Sequence, residues 1–325
     1  MAVENAPNTS ATDLTYRRAT PDDLPACAAI WRTSINDYTA RLNMPDIPEE
    51  LGPILRLYSH LQSTDPERFV LAVRRDARGE GRIVAFVSAV RRDALWFLSM
   101  LFVLPGEQAA GIGRALLRQV MPADQDVALS TCTDSLQPIS NGLYSSLGIP
   151  PRMPLFRLVG REERRDVLPP LPAGIRAIRM DEVAAGAVDR LGGAALDDEL
   201  ASLDRETAGF EHLEDHGFVR SEGRTGFLYL GPSGDAVGYG YTSESGRVGP
   251  IAVREADLLA PVVAHLVTAV SPRGAFGVWL PGAAGEAVTA LLRAGFRFDG
   301  FPCLICWDRP VADYSRYVPI SPGLL

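Results

Sequence analysis

Lysine is absent from the 325-residue sequence, so the 32 residues counted as Lys or Arg are all arginine. A P-loop requires Gly-Lys-Ser/Thr, and the absence of lysine therefore excludes this common way of binding a nucleoside triphosphate. Acidic residues number 40 and the net charge is −8, whereas nucleic-acid-binding domains usually carry a basic patch. We therefore expect no nucleic-acid partner.

Cysteine and long apolar runs are also scarce. The four cysteines are too few for a disulfide framework. Cys303 and Cys306 have Cys-x-x-Cys spacing but lie in an apolar run typical of a strand, where residues three apart point to opposite faces. No run reaches the roughly 18 apolar residues of a membrane span, and residues 1–13 lack the features of a signal peptide. We expect a disordered tail at 1–13, packed cysteines, no membrane contact and a cytoplasmic location.

The four histidines offer no metal-binding spacing. His60 and His265 are isolated, and His212 with His216 forms an i, i+4 pair for which the neighbouring sequence supplies no further ligand. Zinc sites usually take three or more protein ligands. We therefore expect no metal.

Residues 99–121 are the most informative stretch. An apolar strand ends before Pro105, a short turn follows, and apolar residues then recur at helical spacing. The first N–H groups of a helix have no partner within it, and the helix dipole adds partial positive charge there. Gly111 and Gly113 have no Cβ, so a ligand can approach the backbone closely. The turn therefore predicts a cradle for a phosphate or pyrophosphate.

The cradle differs from a dinucleotide fingerprint, because a third glycine and a suitably placed acidic strand end are missing. Instead, Val103-x-Pro105 followed by Gln108-x-x-Gly111-x-Gly113 resembles the acyl-CoA signature of the GNAT superfamily of N-acetyltransferases. The resemblance implies acetyl-CoA as co-substrate, with its pyrophosphate at the turn and its pantetheine arm along the strand. The implied cofactor-binding residues are Leu101, Phe102, Val103, Gln108, Ala109, Ala110, Gly111, Ile112, Gly113 and Arg114.

A second stretch, which begins at Gln137, resembles the second GNAT motif, Asn-x-x-Ala-x-x-Leu-Tyr-x-x-x-Gly-Phe. The Leu-Tyr pair ending at Tyr144 and the glycine at Gly148 fit it, while Gln137 stands at the usual Asn position. Asn141 lies one turn before Tyr144, so either Gln137 or Asn141 is the amide expected to contact the cofactor. The resemblance implies that Tyr144 donates a proton to the departing thiolate, with packing against the cofactor or core as the alternative.

The general base is not evident from the sequence. Residues 95–101 contain no carboxylate, although many GNAT enzymes carry a glutamate on this strand. Asp37 and Tyr38 fall in the first-helix region that lines the acceptor pocket in the family, and the resemblance implies them as substrate-binding residues. Asp134 is another candidate base. Both carboxylates could instead be cap or surface residues, and a chain of water molecules could take the amine's proton.

The order of predicted elements occurs twice. Residues 14–160 show the strand and helix order that the GNAT fold implies, although prolines interrupt the region between the first helix and Phe69. A charged, Pro-rich linker at 161–173 follows, and residues 174–325 repeat the order without glycines at the turn. We predict an α/β fold (α+β, sandwich-like) of two tandem GNAT domains, each a mixed, mostly antiparallel sheet flanked by helices. The second domain is expected to be degenerate and to bind no CoA.

The resemblance implies that the acetyl group of acetyl-CoA moves to the amine of a small molecule by direct attack in a ternary complex. A protein N-terminus or a lysine is the alternative acceptor. A non-catalytic acyl-CoA sensor is the alternative from a different class. We expect a monomer or a homodimer.

Overall fold

The computed structural model describes residues 14–75, 78–185 and 193–325, with the side chains of 193–195 left out. The predicted tail at 1–13 lies outside the described residues. Within the described part of the chain, no helix is both long enough and apolar enough to cross a membrane.

The chain divides into two compact units. The N-terminal unit comprises the described residues up to 90 together with 100–123. The C-terminal unit comprises 91–99 together with the described residues from 124 to 325. Each unit has buried hydrophobic residues of its own, and we describe each unit in turn.

The N-terminal unit is built on an antiparallel sheet covered by helices. Its strands are β1 (Leu14–Arg18), β2 (Phe69–Arg75), β3 (Gly81–Arg92) and the end of β4 (Leu95–Val103), and its helices are α1 (Leu24–Ala40), α2 (Gly52–Thr64) and α3 (Ile112–Val120). β2 pairs with β1 on one side and β3 on the other. Tyr58 of α2 packs edge-on against Phe69 and Phe86, at centroid distances of 6.0 and 5.4 Å. These rings lie at the centre of the unit's core.

The C-terminal unit contains a longer mixed sheet. Its remaining strands are β5 (Ala128–Asp134), β6 (Pro151–Gly160), β7 (Arg176–Arg179), β8 (Thr225–Leu230), β9 (Ala236–Thr242), β10 (Arg247–Val253), β11 (Phe276–Pro281), β12 (Arg297–Phe298), β13 (Cys303–Trp307) and β14 (Tyr317–Val318). Its helices are α4 (Pro138–Ser145), α5 (Met180–Ala184), α6 (Gly193–Thr207), α7 (Leu213–Ser221), α8 (Leu259–Ala269) and α9 (Gly285–Ala294).

The strand order in this unit is β4-β5-β13-β6-β11-β10-β9-β8-β7, with β12 beside β6 and β14 beside β10. The β4–β5 and β10–β11 pairs are parallel. The other described pairs in this unit are antiparallel. The predicted fold class, a mixed and mostly antiparallel sheet flanked by helices, is confirmed.

β13 lies between two strands that are much earlier in the chain. It pairs antiparallel with β5 on one side and with β6 on the other. Cys303 and Cys306 thus lie in a strand, as predicted, and all four cysteines are free. The predicted domain boundary at residue 160 does not separate the compact units, because β6 and residues 161–173 all belong to the C-terminal unit.

Candidate functional site

The turn after β4 has the backbone shape that a cradle requires. A short 3-10 turn, Pro105–Glu107, follows the strand. Ala109 and Gly111 then adopt the left-handed conformation, with φ of +65° and +78°. A Cβ built on Gly111 would meet no atom within 4 Å. The glycine is therefore favoured by its backbone conformation, and the space over it is open.

The N–H groups at the start of α3 remain available for a ligand. Within the described residues, no main-chain acceptor pairs with the N–H groups of Gly111, Ile112 and Gly113. Three successive donors at the start of a nine-residue helix form the arrangement that binds phosphate. Ala109 and Ala110, which precede them, are exposed, so an anion can reach these groups from solvent.

An ion pair holds the first part of the turn. Glu107 is the only carboxylate in residues 105–113. Its Oε2 accepts hydrogen bonds from Arg74 Nη2 and Nε at 2.7 and 3.0 Å, and Arg82 lies 3.8 Å from its other oxygen. The two arginines offset the negative charge that would otherwise oppose an anion at the cradle. Arg74 was not predicted from the sequence. The only sign of such a residue was Glu107, an acidic residue beside a predicted phosphate site that requires a positive partner.

The Val103 carbonyl is also tied to the turn. Gln108 Nε2 donates to it at 3.1 Å and Ser34 Oγ of α1 donates to it at 3.2 Å. Gln108, a residue of the acyl-CoA signature, therefore also stabilises the turn through its side chain. Ser34 is a second residue that sequence reasoning missed, because nothing in its local pattern connects it with β4.

β4, the strand that leads to the cradle, pairs with its parallel neighbour β5 over only the first part of its length. In the described residues, β4 pairs with β5 from Leu95 to Leu98 and no further, although β4 continues to Val103. The side chain of Thr131 donates to the Leu98 carbonyl at 2.9 Å at the end of this ladder. Leu101, Phe102 and Val103 are half-buried. This end of β4 can offer main-chain groups to an extended ligand.

Tyr144 lies on α4 in the C-terminal unit and is buried. Burial raises the pKa of its hydroxyl well above the ordinary value, and the nearby Cys306 raises it further, while a hydrogen bond with Ser140 acts in the opposite direction. The phenol is therefore protonated at neutral pH. It has the protonation state required of a proton donor.

The two candidate amides near Tyr144 differ in their hydrogen bonds. Asn141 Nδ2 donates to the carbonyls of Asp134 and Gln137 at 3.0 and 2.8 Å. Its buried Oδ1 has no partner within the described residues. Gln137 is half-buried and occupies the N-cap position of α4, where its side chain makes no capping hydrogen bond. Asn141 can therefore act on a ligand only as an acceptor unless it gives up its helix contacts.

Residues 32–149 match the family model described as Acetyltransferase (GNAT) family. This segment is a GNAT-family domain. It contains both motifs on which the predicted resemblance depends, and the resemblance to tandem GNAT-type acetyltransferases is confirmed by the family match together with the structures below.

Three solved structures have the same fold over most of the chain. A Pyrococcus horikoshii protein, provisionally described as an acetyltransferase, is 14% identical with a TM-score of 0.68, covering 100% of this chain and 99% of its own. A GCN5-related N-acetyltransferase from Sphaerobacter thermophilus is 18% identical with a TM-score of 0.57, covering 96% and 100%. A tandem GNAT protein from the clavulanic acid biosynthesis pathway is 14% identical with a TM-score of 0.50, covering 91% and 99%. No protein of curated function matches the sequence.

The carboxylates predicted to lie near the acceptor make local contacts. Asp37 pairs with Arg41 at 2.6 Å on the surface of α1. Asp134 Oδ1 accepts the N–H of Leu136 at 2.9 Å, which closes the turn before α4. Tyr38, beside Asp37, has a buried hydroxyl. The contacts of Asp37 and Asp134 are of the surface and cap kind that the sequence left open.

Proposed function

We propose that the chain is an acetyl-CoA-dependent N-acetyltransferase that moves the acetyl group to the amine of a small molecule. The observation that carries the proposal is the row of available N–H groups at Gly111, Ile112 and Gly113, at the position of the acyl-CoA signature. The GNAT match supports an acyltransferase. A structure of the same fold belongs to a pathway for a small metabolite, clavulanic acid, which favours an acceptor of this class.

In this proposal the cradle binds the pyrophosphate of acetyl-CoA, and the main chain of 101–103 aligns the pantetheine arm. The neutral amine attacks the thioester carbonyl, the C–N bond forms and the C–S bond breaks. The departing thiolate takes a proton from Tyr144, the amine's proton passes to water, and Tyr144 regains a proton from water before the next turnover. An amine with a pKa near 10 is only about 0.1% neutral at pH 7, a handicap of roughly 4 kcal/mol, so the rate should rise with pH until the acceptor has lost its proton.

The proposal is tested by measuring thiol release from acetyl-CoA with a panel of amino sugars, polyamines, amino-acid derivatives and N-terminal peptides. We expect turnover with at least one small amine. We expect Tyr144→Phe to lower kcat by about 10²- to 10⁴-fold, the usual contribution of a general acid, with the affinity for acetyl-CoA unchanged.

Tyr314→Phe is the matched control, because Tyr314 is also a buried tyrosine of the C-terminal unit but lies outside both motifs. It should leave kcat close to the wild-type value. Turnover with peptides alone would favour a protein acetyltransferase. Tight binding of acetyl-CoA with no turnover of any acceptor, and no effect of Tyr144→Phe, would instead identify an acyl-CoA sensor.

A further inference from the structure

Three potential metal ligands meet inside the C-terminal unit, far along the chain from the cradle. Asp204 lies on α6, His212 directly precedes α7 and His216 lies on α7, and all three side chains are fully buried. His212 Nε2 is 3.2 Å from Asp204 Oδ1, and His216 Nε2 is 3.0 Å from Asp204 Oδ2. A third potential ligand therefore lies beside the histidine pair. The third group comes from a different helix, which spacing around the pair cannot show.

The three ligand atoms lie close enough together to bind a single ion after a local rearrangement. One ligand atom from each of the three residues lies within 4.8 Å of the others. The two imidazole rings stack at a centroid distance of 4.6 Å and an angle of 17°, with both Nε2 atoms directed at the same carboxylate. Zinc binds such atoms at about 2.0–2.2 Å, which places tetrahedral ligands about 3.3 Å apart. A pair of ligand atoms at the 4.8 Å limit would have to approach by about 1.5 Å to lie on one ion.

Two tyrosine hydroxyls complete the inner surroundings. The Tyr239 hydroxyl of β9 donates to Asp204 Oδ1 at 2.5 Å. The hydroxyls of Tyr239 and Tyr317 lie 3.4 and 3.3 Å from His212 Nε2. A fourth ligand, an oxygen atom, can therefore come from one of these hydroxyls or from a water molecule bound to them.

The outer nitrogen of His216 makes a hydrogen bond, and the outer nitrogen of His212 lies near a carboxylate. His216 Nδ1 is 2.9 Å from the Tyr241 hydroxyl. His212 Nδ1 has no hydrogen-bond partner in the described residues but is 3.9 Å from Asp215 Oδ2. A carboxylate or similar group behind a histidine commonly fixes the ring so that its other nitrogen binds metal.

The buried charges also favour a cation. Arg92 binds Asp215 through two hydrogen bonds of 2.9 Å, and this pair is itself buried and neutral overall. In the described contacts, Asp204 has no buried arginine beside it, unlike Asp215. The nearby Arg220, which interacts with Tyr241, is exposed and does not supply a buried charge. A desolvated carboxylate requires a compensating positive charge. A proton on His212 or a divalent cation can supply it.

We propose that Asp204, His212 and His216 bind a structural divalent transition-metal ion of the Zn²⁺ type. Two imidazoles and a carboxylate form a nitrogen–oxygen donor set that Zn²⁺ accepts readily. Because the cluster is fully buried, the ion enters as the C-terminal unit folds and its binding stabilises the fold. The proposal does not depend on the acetyltransferase function.

The first test measures metal content in the full-length chain. The wild-type protein is unfolded with a chelator, refolded with excess Zn²⁺ and dialysed, and bound zinc is measured by mass spectrometry. We expect one zinc per chain and a higher midpoint of thermal unfolding than for protein refolded with chelator. His216→Gln should lose the zinc, whereas His265→Gln should retain it, since His265 contacts Tyr229 and lies outside the cluster.

A second test needs no variant, in case His216→Gln fails to fold. The wild-type chain is refolded with Co²⁺ in place of Zn²⁺, and its visible absorption is recorded. Intense bands typical of a four-coordinate ion, at one equivalent per chain, support the proposal. Wild-type protein that refolds fully without zinc, holds none after dialysis and gives no Co²⁺ bands overturns it, and the cluster is then balanced by a proton on His212.

Discussion

The Tyr58 hydroxyl is buried in the core of the N-terminal unit and has no hydrogen-bond partner among the described residues. A buried polar group without a partner loses its hydration and gains nothing in return. We therefore expect Tyr58→Phe to raise the free energy of unfolding by about 1 kcal/mol. Urea denaturation of the two proteins measures this difference.

Tyr229→Phe is the matched control for this prediction. Tyr229 is equally buried, but its hydroxyl is 2.9 Å from His265 Nδ1. Removing it leaves the imidazole without its partner, so this variant should be less stable than wild type by about 1 kcal/mol. If both variants shift the free energy of unfolding in the same direction, the hydrogen-bond interpretation is wrong.

At the scale of elements, the short strand β13 links β5 and β6 in the sheet, since it pairs with both. Ile305, at the centre of the strand, is fully buried between β5 and β6. We expect Ile305→Ala to lower the free energy of unfolding by about 2–5 kcal/mol, the usual cost of removing a buried isoleucine side chain. The measurement is chemical denaturation followed by circular dichroism.

The control is Phe301→Ala, two residues before the strand. Phe301 is 52% exposed, so its removal should change the free energy of unfolding by less than about 1 kcal/mol. Hydrogen exchange adds a second readout, because loss of β13 pairing in Ile305→Ala should speed the exchange of amides in β5 and β6. Equal stability of the two variants would contradict the inserted position of β13.

The elements that could be predicted are those defined by local chemistry. The left-handed glycine and the helix start at Ile112 follow from residues adjacent in the chain. By contrast, α2 lies where prolines suggested an interrupted region. Pro53 falls in its first turn, where proline's missing N–H costs nothing. The partners of β13 were also unpredictable, since a strand's residues show that it pairs but not with which distant strand.

Contacts between residues on different elements also limited how much of the site could be predicted from the sequence. The cradle glycines could be identified from spacing, whereas Ser34, Arg74 and Asp204 could not. Ser34 and Arg74 contact residues far away in the sequence, and Asp204 contacts two histidines outside its own helix. A single serine, arginine or aspartate carries no pattern of its own. Motifs therefore located the turn, and the structure was needed to show what holds it.

At the scale of the whole molecule, buried tyrosines in both units should make the fold sensitive to alkali. Burial raises the pKa of Tyr58, Tyr229 and Tyr314 above the ordinary value near 10. Nearby Cys27 adds to the shift at Tyr58 and nearby Cys132 to that at Tyr314. Below about pH 10 these phenols are neutral in both folded and unfolded chains. Above that pH only the unfolded chain ionises freely, so stability is lost as pH rises.

The measurement is urea denaturation at about pH 8 and about pH 11, either side of the ordinary tyrosine pKa, with phenolate absorbance recorded at each pH before denaturant is added. We expect the free energy of unfolding to fall between the two, and most of the phenolate absorbance to appear only on unfolding. Complete ionisation of the tyrosines in a chain that stays folded would contradict their burial.

The central claim is that the N–H groups at the start of α3 bind the pyrophosphate of acetyl-CoA, and calorimetric titration of acetyl-CoA tests it most directly. Ala110→Asp places a negative charge on an exposed residue beside the cradle, and Ala123→Asp makes the same change at an exposed residue beyond the other end of α3. We predict binding to the wild-type chain and to Ala123→Asp. For Ala110→Asp we predict an affinity at least about tenfold lower, since two charges near 4 Å repel by more than about 1.4 kcal/mol. No heat with the folded wild-type chain, or equal affinity in both variants, would contradict the account.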